Sequence, residues 1–442
     1  MRLAIGVAIF VVCAELLALG AYLVETGRLF YAHPRTAAAL PLTPEDRVTP
    51  AVQVHPYFGF AHRPGVDFRD ERAELLARDG LPSVLAPGSR PRTNNFGFIS
   101  PHAYPLAKRS EDQFFVGIFG GSVGMWFCQV GAPRLVERLK EQAFFRGREV
   151  VPLCFAYSGY KQPQLALVLA YFLSIGQVFD LVVNIDGFND VALAPLNDAR
   201  GLDISMPSVQ HIEGLVNLVS QSTLTPEKLD ALAGVFRDRA RLIDLSGRIE
   251  RNRVAALDVV FNAYYRWVLG RYERELGRYA ELPSSDAQNA LIGLTPPVAP
   301  RTPDRLYADI ADQWARSSVL MREMLNRRGA AYVHVLQPNQ YYTKRRFNDA
   351  EAATALTDTS PYKQGVEQGY PVLQAAARSV LQEGGVSFFD ATDVLDREPA
   401  PVYLDDCCHY TLVGNRVFAD FVAASILGTP GPWNGSVIRP AP

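Results

Sequence analysis

The sequence predicts an α/β fold: a three-layer parallel sheet of about five strands, with a helical insertion and an N-terminal transmembrane helix. Two observations predict the sheet. Short apolar, β-prone runs alternate with longer segments of helical periodicity, the order that crossover connections produce. The runs Phe114–Phe119, Val150–Phe155, Asp180–Ile185, Ala331–Leu336 and Val386–Phe389 are apolar almost throughout, as strands covered on both faces must be. A third observation concerns chemistry. Residues useful for acyl transfer follow four of these runs, and ligands of such sheets bind beyond the carboxyl ends of the strands.

The chain begins with an apolar run from Leu3 to Val24, broken by a single charge, Glu15. A run of that length crosses a bilayer as one helix, so residues 1–30 read as a signal anchor. The alternative is a cleaved signal peptide. Its small-x-small tripeptide, Ala18-Leu19-Gly20, lies inside the run, which favours the anchor. Arg2 beside the amino terminus favours a cytoplasmic N-terminus. The body is then expected on the periplasmic side of the inner membrane. Residues 31–110 are rich in proline, arginine and glycine. Their aromatic–glycine pieces, His55–Phe60 and Asn94–Phe98, point to an arm packed on the main domain, since exposed stalks seldom carry so many aromatics.

The first part of the core, residues 111–195, holds three of the strands. Between them lie a helix with Leu135, Val136 and Leu139 on one face and a second helix over Gln164–Leu173. Residues 196–302 form an insertion, where Thr225-Pro226 reads as an N-cap followed by proline at the first helical position. Val254, Leu257, Phe261, Tyr264 or Tyr265, Val268, Tyr272, Leu276 and Tyr279 then recur at helical spacing. Such a stripe is the core of a helical hairpin, or else the face of a lid over a binding cleft or a face for a partner. Residues 303–428 complete the core with a helix over about 303–328, two strands and a closing helix over Val413–Ile426; residues 429–442 are a tail.

A net charge of −2 over 442 residues leaves no electrostatic footprint for nucleic acid. Outside the N-terminal run, Cys128, Cys154, Cys407 and Cys408 are too sparse for a disulfide-built fold and lack zinc-ligand spacing. No metal and no cofactor are expected. A bridge from Cys128 to Cys407 or Cys408 is expected, because these loops flank the candidate nucleophile and its base.

The stretch FFVGIFGGSVG places Gly120, Ser122 and Gly124 in the G-x-S-x-G spacing of a nucleophile elbow. An α/β-hydrolase, however, has several strands before its nucleophile, and the proline-rich region upstream of Phe114 offers none. Taken strand by strand, Ser122 follows the first, Gly159 the second and Gly187-Phe-Asn189-Asp190 the third, with Asp406-Cys-Cys-His409 after the fifth. In this order the segments resemble the signature blocks of the SGNH (GDSL-type) hydrolase superfamily. The resemblance covers residues 111–195 and 305–428 and is silent on the arm and the insertion. The family's usual aspartate before the serine is replaced here by Gly121.

The resemblance implies a flavodoxin-like sheet and a serine esterase acting on a small-molecule or glycan ester, which the N-terminal run places at the cell envelope. Ser122 is the implied nucleophile, His409 its base and Asp406 the acid that fixes the imidazole tautomer, with the neighbouring Asp405 as the alternative acid. The implied oxyanion donors are the Ser122 and Gly159 N–H groups and the Asn189 amide. An acyltransferase working on a surface glycan with the same residues, and a silent scaffold, are the alternatives. Plain structural roles also exist: Gly159 as a turn glycine, Asn189 or Asp190 as a helix cap, and His334 as a core histidine.

Overall fold

Each of the five apolar runs forms a strand. In a computed structural model of the chain, the described residues are 2–27, 29–31, 52–66, 91–216, 225–282 and 298–436. In chain order the strands are β1 (Val52–His55), β2 (Gly59–His62), β3 (Gln113–Gly120), β4 (Glu149–Ala156), β5 (Leu181–Asp186), β6 (Ala331–Leu336) and β7 (Ser387–Asp390). The last five form one sheet in the order β4-β3-β5-β6-β7, with every pairing parallel. Counted within the sheet this is the doubly wound order 2-1-3-4-5, whose switch point falls between β3 and β5.

The apolar runs are continuous because helices cover the sheet. Phe114 and Phe119 lie an odd number of positions apart, so they face opposite sides of the pleat. Phe119 stacks on Phe155, which meets Phe172 of the helix Gln164–Ser174. Phe114 meets Phe145 and Trp433. One group of helices comprises Gln164–Ser174, Phe188–Ala199, Pro303–Asn326 and Lys363–Ala376. A second comprises Ala132–Lys140 and Leu412–Gly428, where Phe127 meets Phe418 edge-on. Each fully buried phenylalanine contributes on the order of 1.5–3 kcal/mol.

The aromatic–glycine pieces of the arm belong to this core. The β1–β2 hairpin buries Phe58 and Phe60, and Phe98 and Tyr104 join the same cluster. Tyr160 donates its hydroxyl to Phe60 O at 2.7 Å, and Tyr104 donates to Cys154 O at 3.1 Å. Of the arm, residues 32–51 and 67–90 lie outside the described residues.

The expected disulfide is corrected. Cys128 is bonded to Cys154, with Cα atoms 5.8 Å apart, while Cys407 and Cys408 are free thiols. The helix that begins at Ser122 passes through a π-helical stretch, Phe127–Gly131, alongside β4, the edge neighbour of β3. Strand order therefore chose the partner.

The chain divides into two compact units, Val52–Val216 with Leu294–Pro442, and Met1–Ala51 with Asn217–Gly293. The second unit is narrower than the expected insertion, because the helix Phe188–Ala199 and the segment after it belong to the first. Its helices Pro226–Arg251 and Ala255–Glu281 form a hairpin. Thr225 caps the first, accepting from Lys228 N at 3.2 Å. Tyr265 and Val268 of the stripe pack with Leu242 and Leu245, whereas Val254, Leu257, Tyr264 and Leu276 are exposed. Buried Asp238 is held by Arg241 and Arg271.

The same unit contains the helix Arg2–Thr26, which coincides with the N-terminal apolar run. Among the described residues no helix is long and apolar enough to cross a membrane. The Glu15 carboxylate accepts from Ala255 N at 2.7 Å, Ala256 N at 2.8 Å and the Tyr31 hydroxyl at 2.9 Å.

Candidate active site

β3 ends at Gly120, and Ser122 is the first residue of the following helix, at the carboxyl edge of the sheet. The residue between them is glycine for a reason of space. A Cβ added at Gly121 would lie 2.1 Å from Asn189 Nδ2. Any side chain there would displace the Asn189 amide. Asn189 in turn donates to Tyr160 O at 2.7 Å, one residue beyond Gly159. Gly159 has φ +78°, a conformation that side chains other than glycine's resist, and a Cβ there would lie 2.5 Å from the His211 ring. The serine, glycine and asparagine segments are thus packed together around the switch point.

The cap beside them is made by Asp190 and not Asn189. Asp190 accepts from Gly187 N at 3.3 Å and from Gln162 N at 2.8 Å, tying the first turn of Phe188–Ala199 to the loop after β4. Burial, with Asp186 close by, pushes the Asp190 carboxyl up to about 7. Burial likewise lowers the Lys161 amine to about 8. Asp186 closes β5 as an acceptor for Trp314, Asn184 and Gln162 and as the partner of His334. Burial raises this carboxyl, but His334 and the donors outweigh it and hold Asp186 below the usual range.

The fourth segment is the loop Leu404–His409, closed by Leu404 N donating to His409 O at 2.9 Å. His409 Nδ1 meets an aspartate oxygen at 2.6 Å, and the aspartate is Asp405. This corrects the expected acid, Asp406. The other Asp405 oxygen accepts the backbone N–H groups of Cys407, Cys408 and His409 at 3.0, 3.1 and 3.3 Å. A carboxylate wrapped by the amides that follow it must turn inward, as in an Asx turn, and so reaches the ring. Asp406 is exposed, and only its backbone carbonyl is engaged, by Tyr341 and Ser360. The loop after β6 positions this one: Asn339 donates to Cys407 O at 3.0 Å and Gln340 to Asp405 O at 2.9 Å.

The serine and histidine segments meet where Ser122 Oγ lies 3.9 Å from Cys408 Sγ. Cys408 is buried, and burial pushes its thiol well up. Among the described residues, Cys407, Cys408 and His409 form the one cluster whose donor atoms, all within 4.8 Å, are close enough to hold a metal ion. One ring nitrogen of His409 is already committed to Asp405.

All five residues expected from the sequence therefore lie at or beside one edge of the sheet, except that Asp405 replaces Asp406 against the ring. Sequence reasoning missed His211, which lies on Gly159, stacks on Phe60 and meets Ser208 Oγ at 3.0 Å. No motif surrounds it; only the fold brings the helix Val209–Val216 to this edge. It also missed the positioning roles of Asn339 and Gln340, whose type and place after a strand were the available signal. No protein-family model matches the chain, and no curated protein matches it either.

Proposed function

We propose that the protein is a serine ester hydrolase of SGNH type, acting at the cell envelope. The observation that supports this reading is the packing of the Ser122, Gly159 and Asn189 segments at the switch point, where such sheets bind ligands, with Cys408, the neighbour of the Asp405-bound His409, 3.9 Å from Ser122 Oγ. A serine hydroxyl is a weak nucleophile until a base takes its proton. Asp405 holds Nδ1 of His409, which leaves Nε2 as the basic nitrogen and stabilises the imidazolium once it forms.

In the first step Ser122 Oγ attacks the ester carbon while His409 takes its proton. Negative charge develops on the carbonyl oxygen, toward the Ser122 and Gly159 N–H groups. A primary amide has two N–H groups. Asn189 commits one to Tyr160, which fixes the side chain so that the other is preorganised for the oxyanion. Collapse expels the alcohol with the proton from His409. Water, activated by the same histidine, then releases the acid from Ser122. The substrate is a small-molecule or glycan ester. Attachment to the inner membrane with the body on the periplasmic side is proposed from the run Leu3–Val24 alone.

A fluorophosphonate probe tests the reading. It should label the wild-type protein at Ser122, and a panel from acetyl to longer acyl esters should be turned over. Ser122→Ala should lose both while its circular dichroism is unchanged. Labelling at a different serine, or none in the folded wild-type protein, would overturn it.

A further inference from the structure

We propose that Cys407 and Cys408 are a redox modification site, forming a disulfide between adjacent residues that disables the Asp405–His409 pair and is reversed by thiols. The two sulfurs are 3.2 Å apart and unbonded, in a region whose other two cysteines are joined to each other. They also differ in access. Cys407 is partly exposed and Cys408 is buried, so a reagent from solvent meets Cys407 first.

The partner reagent is a small disulfide. The Cys407 thiolate attacks it, forms a mixed disulfide and releases the first thiol. Cys408 loses its proton and attacks the Cys407 sulfur, releasing the second. In sum, two thiols and one disulfide RSSR become the Cys407–Cys408 bond and two RSH, with two electrons passing from the cysteines to RSSR. Burial pushes the Cys408 thiol up, so the first attack falls to Cys407, and Cys408 attacks only as its proton leaves. Consecutive Cα atoms are about 3.8 Å apart, less than the roughly 4.4–6.8 Å usual across a disulfide, so the bridge is strained and easily reduced.

The structural consequence runs through the backbone. The N–H groups of Cys407, Cys408 and His409 wrap Asp405 Oδ1, and Cys407 O accepts from Asn339. Closing the small ring turns the peptide between the two cysteines and takes these bonds with it. The carboxylate that orients His409 then loses its setting, and Cys408 Sγ moves relative to Ser122 Oγ. The effect on turnover rests on the serine-hydrolase reading; bond formation does not.

The test uses the full-length protein in glutathione buffers of increasing oxidised fraction. Free thiols are alkylated, and the peptide carrying Cys407 and Cys408 is weighed. Oxidation should yield an unalkylated peptide lighter by two hydrogens, and faster amide exchange over residues 405–410. Fluorophosphonate labelling of Ser122 should slow by roughly 10²-fold, the cost of misplacing a catalytic group by about 1 Å. Returning to reduced glutathione should restore all three. Cys407→Ala should label at the wild-type rate and not respond. The proposal is overturned if the peptide stays alkylated at both cysteines in fully oxidised glutathione. It is equally overturned if the bridge forms without change in exchange. A pair that stays reduced while zinc ions slow labelling and a chelator restores it would make the cluster a metal site instead. Should the reduced protein never label, the hydrolase reading fails, while mass and exchange still decide the bridge.

Discussion

His334 and His409 each hold an aspartate oxygen at 2.6 Å, His334 through Nε2 to Asp186 and His409 through Nδ1 to Asp405. By that measure the pairs are alike, and their surroundings differ. His334 stands within β6 with no exposed surface, its other nitrogen meets Ser318 Oγ at 2.7 Å, and its aspartate also serves Trp314, Asn184 and Gln162. Every polar atom of that ring is spent on the interior. His409 lies on a loop at the edge of the sheet, 11 % exposed, one residue from the cysteine that touches Ser122. A short His–Asp contact is thus no catalytic signature by itself. What separates the pairs is access: the His334 ring is wholly enclosed with its serine, whereas His409 reaches the surface beside the edge that carries Ser122.

Exchanging the two histidines tests that distinction at its largest. His409→Ala should lower kcat by about 10⁶, the loss seen when a triad histidine is removed, and leave the melting temperature nearly unchanged. His334→Ala should do the reverse, costing about 3–5 kcal/mol in urea unfolding because it strands a buried carboxylate, with wild-type kcat in the folded fraction. A folded His334 variant as inactive as the His409 variant would break the comparison.

The acids sharpen it. Asp405→Asn should lower kcat by about 10⁴, as when the orienting carboxylate of a triad becomes an amide, with KM little changed. Asp406→Asn should leave kcat near wild type. Steady-state kinetics on both variants decides between them, and the opposite ranking would return Asp406 to the mechanism.

His211 is an intermediate case, half-buried against Gly159, where it stacks on Phe60 and meets Ser208 Oγ. Burial lowers its imidazole from the usual value. The folded state therefore binds that proton less readily than the unfolded chain. This contribution to stability is whole above the ordinary imidazole range of about 6.5 and is lost as pH falls through it. His211→Gln should flatten the fall in unfolding free energy between about pH 7 and 5. An unchanged slope would show that the ring is not held neutral.

The strands were legible because burial on both faces writes itself into contiguous apolar residues. The expected β6, Ala331–Leu336, and the actual one have the same ends, and the others differ by a residue or two. Side-chain partners were less legible. Asp405 and Asp406 are adjacent and chemically equal, and the choice lies in which carboxylate the loop's N–H groups enclose. Cys128 found Cys154 through strand order, which spacing along the chain does not encode. Of the periodic stripe in Ala255–Glu281, Val268 is buried and Leu257 exposed, because periodicity identifies a face without saying how much of it a partner covers.

Two of the donors on Glu15, Ala255 N and Ala256 N, tie the midpoint of the first helix to the start of Ala255–Glu281. That tether acts as a depth gauge. Wherever the first helix goes, the bend of the hairpin follows, with Val254, Leu257, Val260 and Tyr264 exposed. One acidic residue thus sets the register of three helices, and its loss would let the hairpin slide along the first helix.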